Sequence, residues 1–206
     1  MRITLVHPAG FNFVPGQPDF SVLANRMAPI GIMQLASWLE KFGHCVQLHD
    51  CLGPYAPLTI VENAEIVLAG DPQMVGFSAT TSGFMDAVEI AAYIRARRPE
   101  IKIVFGNVHV SSLGAPILEH FPEIDYLVIG EGEGSFLDLA DGKPLKDIGN
   151  LIYRDGTGRA GYASIPAAIA LSISTSCLFP PTKNWRAFLM PIICRCFPTR
   201  SATGRR

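Results

Sequence analysis

An α/β domain is the fold class that this sequence predicts, with an open, doubly wound parallel sheet of five strands. Short runs rich in Val, Ile and Leu alternate with helical patterns five times between Ile3 and Gly134, as in parallel sheets that are buried on both faces. A closed eight-stranded α/β barrel needs roughly 250 residues, whereas the chain has 206. Five such units match the size of a flavodoxin-like or Rossmann-like sheet.

The elements follow one another in a regular order. Strands are the short apolar runs, and helices are the segments whose apolar residues recur at i, i+3, i+4 and i+7. The first helix is the clearest, because Pro29 suits its first turn and Gly43 the position just past its end. The predicted strands are residues 3–6, 46–49, 74–78, 101–105 and 126–129, and the predicted helices are 29–42, 59–69, 83–98, 115–120 and one starting near 134.

Charge divides the chain into unequal parts. All 18 acidic residues lie at or before Asp155, so the first 162 residues carry a net charge of −7 while the remainder carries +6. Such a break indicates a domain boundary, a linker or a change of reading frame. We predict a domain at residues 1–145, a short hairpin or linker at 146–160, and a disordered or non-native tail at 161–206.

The composition excludes several classes of protein. A net charge of −1 gives no electrostatic basis for binding nucleic acid or an anionic membrane. Five Cys at irregular spacing do not suggest a secreted disulfide scaffold. The apolar run that starts at Ile3 is too short for a signal peptide. We therefore expect a cytoplasmic protein with neither a nucleic-acid nor a membrane partner.

Ligands of open α/β sheets bind outside the carboxyl ends of the strands, which makes the loops there candidate sites. After the third strand, Ser78, Thr80 and Thr81 offer hydroxyls before a helix N-terminus. These groups suit a phosphate or a polar ligand edge, or a simple helix N-cap. After the fourth strand, Gly106 and Asn107 allow close backbone approach or a tight turn, and His109 follows as a ligand contact or a loop hydrogen-bonding residue.

The glycine-rich segment after the fifth strand contains Gly130, Glu131 and Gly132. Its spacing is wrong for a dinucleotide fingerprint, and its glutamates are explained by the helix dipole. The sequence shows neither a catalytic triad motif nor a phosphate loop. His44 and His49 point to opposite faces of one strand, so we predict no protein metal ligand and no catalytic residue.

Taken together, the strand-end loops resemble those of the N-terminal cobalamin-binding domain of cobalamin-dependent radical SAM proteins, over about residues 1–158. The segment at 148–156 is similar to the hairpin that follows this domain in the family. The matching segments are Pro29-Ile30-Gly31, Val46 to Asp50, Val75-Gly76-Phe77-Ser78, Val104 to His109, and Val128 to Glu133.

The resemblance implies metal ion binding through cobalamin, which would lie across the strand ends with its nucleotide tail at the sheet. Gly106 matches the first Gly of a family Gly-Gly pair, and Asn107 replaces the second. Cobalamin mutases carry a motif Asp-x-His-x-x-Gly after the first strand, which the loop beginning at His7 does not match. We therefore do not expect His7 to ligate cobalt. The implied cofactor-binding residues are Ser78, Thr80, Thr81, Gly106, Asn107, His109, Gly130, Glu131 and Gly132.

Members of this family also hold a four-iron four-sulfur cluster on a Cys-x-x-x-Cys-x-x-Cys motif, which cleaves S-adenosylmethionine. That motif is absent from the sequence. Read one base out of frame from Ala168, permitted codons encode LDVVPFPAYEKL, which resembles the linker before the radical SAM core. We therefore expect a truncated, frame-shifted product that is not catalytic alone, and sequencing of the genomic locus tests this.

Three functions remain open from the sequence. The first is a cobalamin-binding module of a methyltransferase or cyclase of the radical SAM type. The second is a flavodoxin-like binding or regulatory domain for another phosphate-bearing ligand, such as a flavin nucleotide. The third is an interaction fragment without a ligand.

Overall fold

A seven-stranded sheet with helices on both faces organises the chain in the computed structural model, which describes residues 1–10, 28–52, 58–154 and 160–162. The described residues belong to one unit, Met1–Ala167. The predicted tail at 161–206 and its proposed change of reading frame lie, from residue 163 onward, outside the described residues.

The strands pair in the order β2-β1-β3-β4-β5-β6-β7. The first five are parallel, and their order is that of flavodoxin-like sheets. This confirms the predicted fold class. The strands are β1 (Arg2–His7), β2 (Cys45–Asp50), β3 (Met74–Ser78), β4 (Lys102–Gly106), β5 (Tyr126–Val128), β6 (Leu151–Arg154) and β7 (Ala160–Tyr162).

Six α-helices occur among the described residues. They are α1 (Ile30–Lys41), α2 (Ile60–Ala69), α3 (Phe84–Arg97), α4 (Val108–Leu113), α5 (Pro116–His120) and α6 (Glu133–Ala140), and a short 3₁₀ helix spans Leu145–Asp147. Thr59 forms a capping box with Glu62 at the start of α2. Gly43 has φ +87° just past α1, which is the conformation that glycine tolerates at a helix C-terminus.

Two apolar clusters cover the two faces of the sheet. On one face, Val75, Phe77 and Phe105 pack with residues of α2 and α3. On the other face, Leu5 and Val104 pack with residues of α1 and α6. Each strand therefore sends alternate side chains into opposite cores, as the two-residue period of a strand requires.

Two features differ from the sequence prediction. The hairpin consists of β6 and β7, which pair antiparallel with each other, and β6 also pairs antiparallel with β5. The hairpin therefore extends the parallel sheet rather than following it as a separate element. The segment after β4 is also helical, because Asn107 caps α4 with its side chain. His109, which we predicted in a loop, therefore lies on a helix.

Candidate functional site

A cleft of about 450 Å³ opens at the carboxyl ends of the parallel strands, on the face covered by α1 and α6. This volume lies within the range of about 300–1,000 Å³ that is typical of small-molecule sites. The residues that line it are Leu5, Gly31, Ile32, Leu35, Gly76, Phe77, Ser78, Val104, Gly106, Asn107, Val108, Ser111, Val128, Gly130, Glu131, Gly132, Glu133 and Phe136.

The floor of the cleft is apolar, and at Gly76 the side chains of Leu5 and Phe136 pack directly against the strand. Leu5 pairs in register with Gly76, and Gly76 pairs with Val104, so these three residues form one row across the sheet. A Cβ at Gly76 would lie 2.8 Å from Leu5 Cδ2 and 2.8 Å from Phe136 Cε2. Only glycine allows both side chains to pack this closely against the strand.

Hydrogen bonds join the ends of three neighbouring strands at the rim. Asn107 Nδ2 donates to Ser78 Oγ at 2.9 Å, which links β4 to β3. Ser111 Oγ donates to Asn107 O, and the Gly130 amide donates to Ser111 Oγ, both at 3.0 Å. This series of hydrogen bonds therefore connects the ends of β3 and β4 to Gly130, two residues after the end of β5.

Asn107 occupies an unusual backbone conformation, with φ +87° and ψ −178°. This region is adopted almost only by glycine, and other residues pay about 1–3 kcal/mol to occupy it. Asn107 offsets part of that strain because its Oδ1 accepts from the Val108 amide at 2.6 Å. The second position of the family's Gly-Gly pair thus keeps a glycine-like backbone although its residue is Asn.

Three glycines leave the rest of the rim open. A Cβ at Gly106 would lie 3.6 Å from Val128 O, the nearest non-neighbouring atom of the described residues, and a Cβ at Gly31 or Gly130 would meet none of them within 4 Å. Gly130 also has φ +69°, so an L-residue there would be strained. Backbone amides and carbonyls along this rim can therefore be approached closely by a ligand.

Two carboxylates of the glycine-rich segment face the cleft in different environments. Glu131 is exposed, whereas Glu133 is only 7% exposed. Glu133 Oε1 accepts a hydrogen bond from Gln34 Nε2 of α1 at 3.2 Å. The prediction included Glu131 and assigned Glu133 to the helix dipole alone, so its place in the cleft was missed.

Six of the nine predicted residues line the cleft together: Ser78, Gly106, Asn107, Gly130, Glu131 and Gly132. The other three lie outside its lining. His109 Nδ1 is 3.2 Å from Thr81 Oγ1, and its ring packs against Phe84 at 4.5 Å between centroids. Thr80 Oγ1 lies 3.2 Å from Ser82 Oγ. Phe84 belongs to the core on the α2 and α3 face, so this group lies toward the opposite side of the sheet.

Several lining residues escaped prediction because they belong to the apolar pattern. Ile32, Leu35 and Phe136 have the helical spacing of ordinary core residues. Gly76 carried a signal, since an isolated Gly within a strand often marks a close approach. Ser111 carried none, because its role depends on the amide of Gly130, 19 residues away.

His7 and Asp50 meet at the ends of β1 and β2. His7 Nδ1 lies 3.1 Å from Asp50 Oδ1, and Asp50 also accepts from the Leu52 amide at 3.0 Å. Neither residue lines the cleft. Within the described ranges, no group of three or more His, Cys, Asp or Glu residues is placed so that it could hold a metal ion.

Two buried side chains near these strand ends have shifted pKa values. Burial, followed by the charges of Asp50 and Asp86, raises the pKa of the Cys51 thiol far above its usual range, so this thiol is a poor nucleophile. Burial also lowers the pKa of His49, outweighing its bond to Asn63 and the charge of Asp50. His49 is therefore a neutral structural residue that binds Asn63 Oδ1 at 2.8 Å.

Comparison with known proteins shows which family this chain resembles. Residues 17–140 match the B12 binding domain family, which is more than half of the chain. The chain belongs to the B12-binding domain family. This confirms the resemblance to a cobalamin-binding domain that the strand-end motifs predicted.

Two relatives match over most of this B12-binding chain. It is 34% identical over 159 residues to "Uncharacterized methyltransferase PH0819" of Pyrococcus horikoshii, covering 75% of this chain and 33% of the relative. It is 32% identical over 144 residues to the anaerobic magnesium-protoporphyrin IX monomethyl ester cyclase of Synechocystis, covering 68% of this chain and 27% of the relative. The chain therefore spans about a third or less of the length of these relatives.

A third relative matches this chain over a shorter stretch. The 2-(S-pantetheinyl)-carbapenam-3-carboxylate methyltransferase of Streptantibioticus cattleyicolor is 29% identical over 85 residues, which is 40% of this chain and 12% of that enzyme. Among the helices that the structure describes, none is long and apolar enough to span a membrane.

The residues of the cleft suit one part of cobalamin. Cobalamin is much larger than the cleft, so only a part of it can enter. The apolar floor at Leu5 and Val104 suits a flat, apolar base, and the open glycines of the rim suit a ligand that lies close to the backbone. The side chain of Glu133 adds a buried polar group, whose second carboxylate oxygen has no hydrogen-bond partner among the described residues.

Proposed function

We propose that this chain binds cobalamin across the carboxyl ends of β1, β3, β4 and β5, with the nucleotide tail in the cleft between the sheet and helices α1 and α6. The observation that carries the proposal is the position of the cleft in a B12-binding domain, at the sheet edge where open α/β sheets bind ligands. The six predicted residues that line the cleft support the same placement.

The polar rim would orient the ligand, and the apolar floor would exclude water. Ser78 and Asn107 hold each other at the ends of β3 and β4, so neither needs to reorganise when a ligand arrives. Preorganisation of this kind lowers the entropy cost of binding. Thr80, Thr81 and His109 would contact only a part of cobalamin that extends over the strand ends, beyond the cleft.

We also propose that the domain serves a cobalamin-dependent radical SAM enzyme of the methyltransferase or cyclase type. Two of the relatives above carry "methyltransferase" in their names and one is a cyclase. Bound cobalamin would supply a cobalt centre that carries a methyl group or an electron. S-adenosylmethionine and a four-iron four-sulfur cluster would belong to a part of the enzyme with a cysteine motif that this sequence lacks.

The direct test is ligand binding by the purified full chain. Hydroxocobalamin and flavin mononucleotide are each mixed with the protein, and co-elution in gel filtration is followed through the visible spectrum. We expect cobalamin to co-elute and the flavin to separate, because the two carboxylates that line the cleft repel the doubly charged phosphate of the flavin more strongly than the singly charged phosphodiester of cobalamin. Co-elution of the flavin alone would favour a flavodoxin-like function instead, and separation of both ligands would overturn the proposal.

A further inference from the structure

Glu133 is the first residue of α6, an eight-residue helix. It lines the cleft and is only 7% exposed. A carboxylate at a helix N-terminus is stabilised by the helix dipole, which accounts for its charge. The dipole does not account for the burial of this side chain beside the apolar floor of the cleft.

The two oxygens of this carboxylate have unequal surroundings. Oε1 accepts from Gln34 Nε2 at 3.2 Å, so helix α1 holds the side chain in place. Oε2 is buried and has no hydrogen-bond partner within the part of the chain that the structure describes. A buried acceptor without a partner destabilises the protein, and more so when the group is charged. A ligand donor that enters the cleft would recover this cost.

We propose that Glu133 is a specificity-determining residue whose Oε2 accepts a hydrogen bond from a neutral O–H or N–H group of the ligand. The inference rests on the proposed function and names a contact within it. Two parts of cobalamin carry such donors, the ribose of the nucleotide tail and the amide side chains of the corrin ring. The phosphodiester of the tail is not that donor, because it carries no N–H or O–H group and the carboxylate of Glu133 repels it.

Affinity measurements on the full chain test this contact. Cobalamin and cobinamide, which lacks the nucleotide tail, are titrated against the wild-type protein, Glu133→Gln and Glu133→Leu. Gln keeps the size but loses the charge, and we expect cobalamin affinity to fall roughly five- to tenfold. Leu removes the acceptor, and we expect a fall of roughly tenfold to a hundredfold, as for loss of a charged hydrogen bond.

The pattern across the two ligands locates the donor. A loss for cobalamin alone assigns the donor to the nucleotide tail, and a loss for both ligands assigns it to the corrin amides. Unchanged affinities in both variants would overturn the inference while leaving the proposed function intact. Failure of the wild-type protein to bind either ligand would overturn both.

Two controls separate binding from folding. Glu89→Gln removes an exposed charge from α3, away from the cleft, and we expect it to leave both affinities unchanged. Thermal unfolding without ligand reports on structure. We expect the Glu133→Gln protein to melt no lower than the wild type, because Gln keeps an oxygen that accepts from Gln34 and removes the unpaired buried carboxylate oxygen. A lower melting point would indicate a structural role for Glu133 and count against the inference.

Discussion

Asn107 donates a hydrogen bond from its side-chain amide to Ser78 Oγ at 2.9 Å, although its own backbone lies in a region that favours glycine. The same side chain caps α4 through the Val108 amide. One residue thus links two strand ends and starts a helix, at the expense of backbone strain.

The balance at Asn107 can be measured by two substitutions. Asn107→Ala loses both hydrogen bonds and keeps the strain, whereas Asn107→Gly loses the bonds and relieves the strain. We expect the Gly variant to be more stable than the Ala variant by about 1 kcal/mol or more in urea unfolding. Equal stabilities of the two variants would mean that the backbone at residue 107 carries no strain. The Ser78→Ala variant is the control, because it loses only the hydrogen bond between the two side chains, and we expect its free energy of unfolding to fall by about 1 kcal/mol.

Gly31 offers a way to close the cleft without disturbing the core. A Cβ there meets no atom of the described residues within 4 Å, and the residue lines the cleft on α1. We expect Gly31→Phe to fold normally and to lose most of its cobalamin affinity, by at least tenfold, because the ring occupies ligand space. Gly134→Phe is the matched control, since Gly134 is equally unobstructed but does not line the cleft. An equal loss in both variants would argue against this ligand position.

Gly76 is expected to be intolerant of even one methyl group. Its Cβ would lie 2.8 Å from both Leu5 Cδ2 and Phe136 Cε2, and these side chains are buried at 1% and 4% exposure. We expect Gly76→Ala to lower the free energy of unfolding by about 1–3 kcal/mol, as overpacked cores do. Gly31→Ala is the comparison, and it should be stabilising by up to about 1 kcal/mol because Ala favours a helix. A Gly76→Ala protein as stable as the wild type would show that Phe136 moves freely.

His49 makes stability depend on pH in a defined direction. Its pKa is lowered in the folded protein by burial, while in the unfolded chain it titrates near 6.5. The neutral imidazole therefore contributes stability above about pH 6.5, and that contribution is lost as the pH falls toward the folded value. We expect the wild type to lose about 1 kcal/mol more than His49→Leu between pH 7.5 and 5.5. Parallel pH profiles of the two proteins in urea unfolding would contradict the assignment.

The strands were predictable because the central parallel strands are short runs in which buried apolar residues predominate. Residues 74–78 and 126–128 are examples, because successive apolar side chains in them are buried on opposite faces of the sheet: Met74, Val75, Phe77, Leu127 and Val128. The helix at Val108–Leu113 was not predicted, because Asn107 starts it through side-chain geometry rather than through apolar periodicity. The pairing of the hairpin with β5 was also hidden, since it depends on contacts between residues distant in sequence.

The candidate site divides in the same way. Gly106, Gly130 and Gly132 were expected at the strand ends, where open α/β sheets bind ligands, and the structure places them in the lining of the cleft. Glu133 and Ser111 were not, because a side chain acquires a partner, or is left without one, only when another helix packs beside it. Gln34 donates a hydrogen bond to Glu133, which lies 99 residues further along the sequence. No local sequence pattern predicts such a contact.

The sequence by itself determined the fold class, the sheet edge that holds the site and the family to which the chain belongs. These properties follow from local apolar runs and from short motifs, which need no knowledge of long-range contacts. Only the tertiary structure decided which face of the sheet carries the cleft and which carboxylate is buried in it. The reason is physical: successive residues of a strand point to opposite faces, and burial depends on what packs against each face rather than on the residue alone.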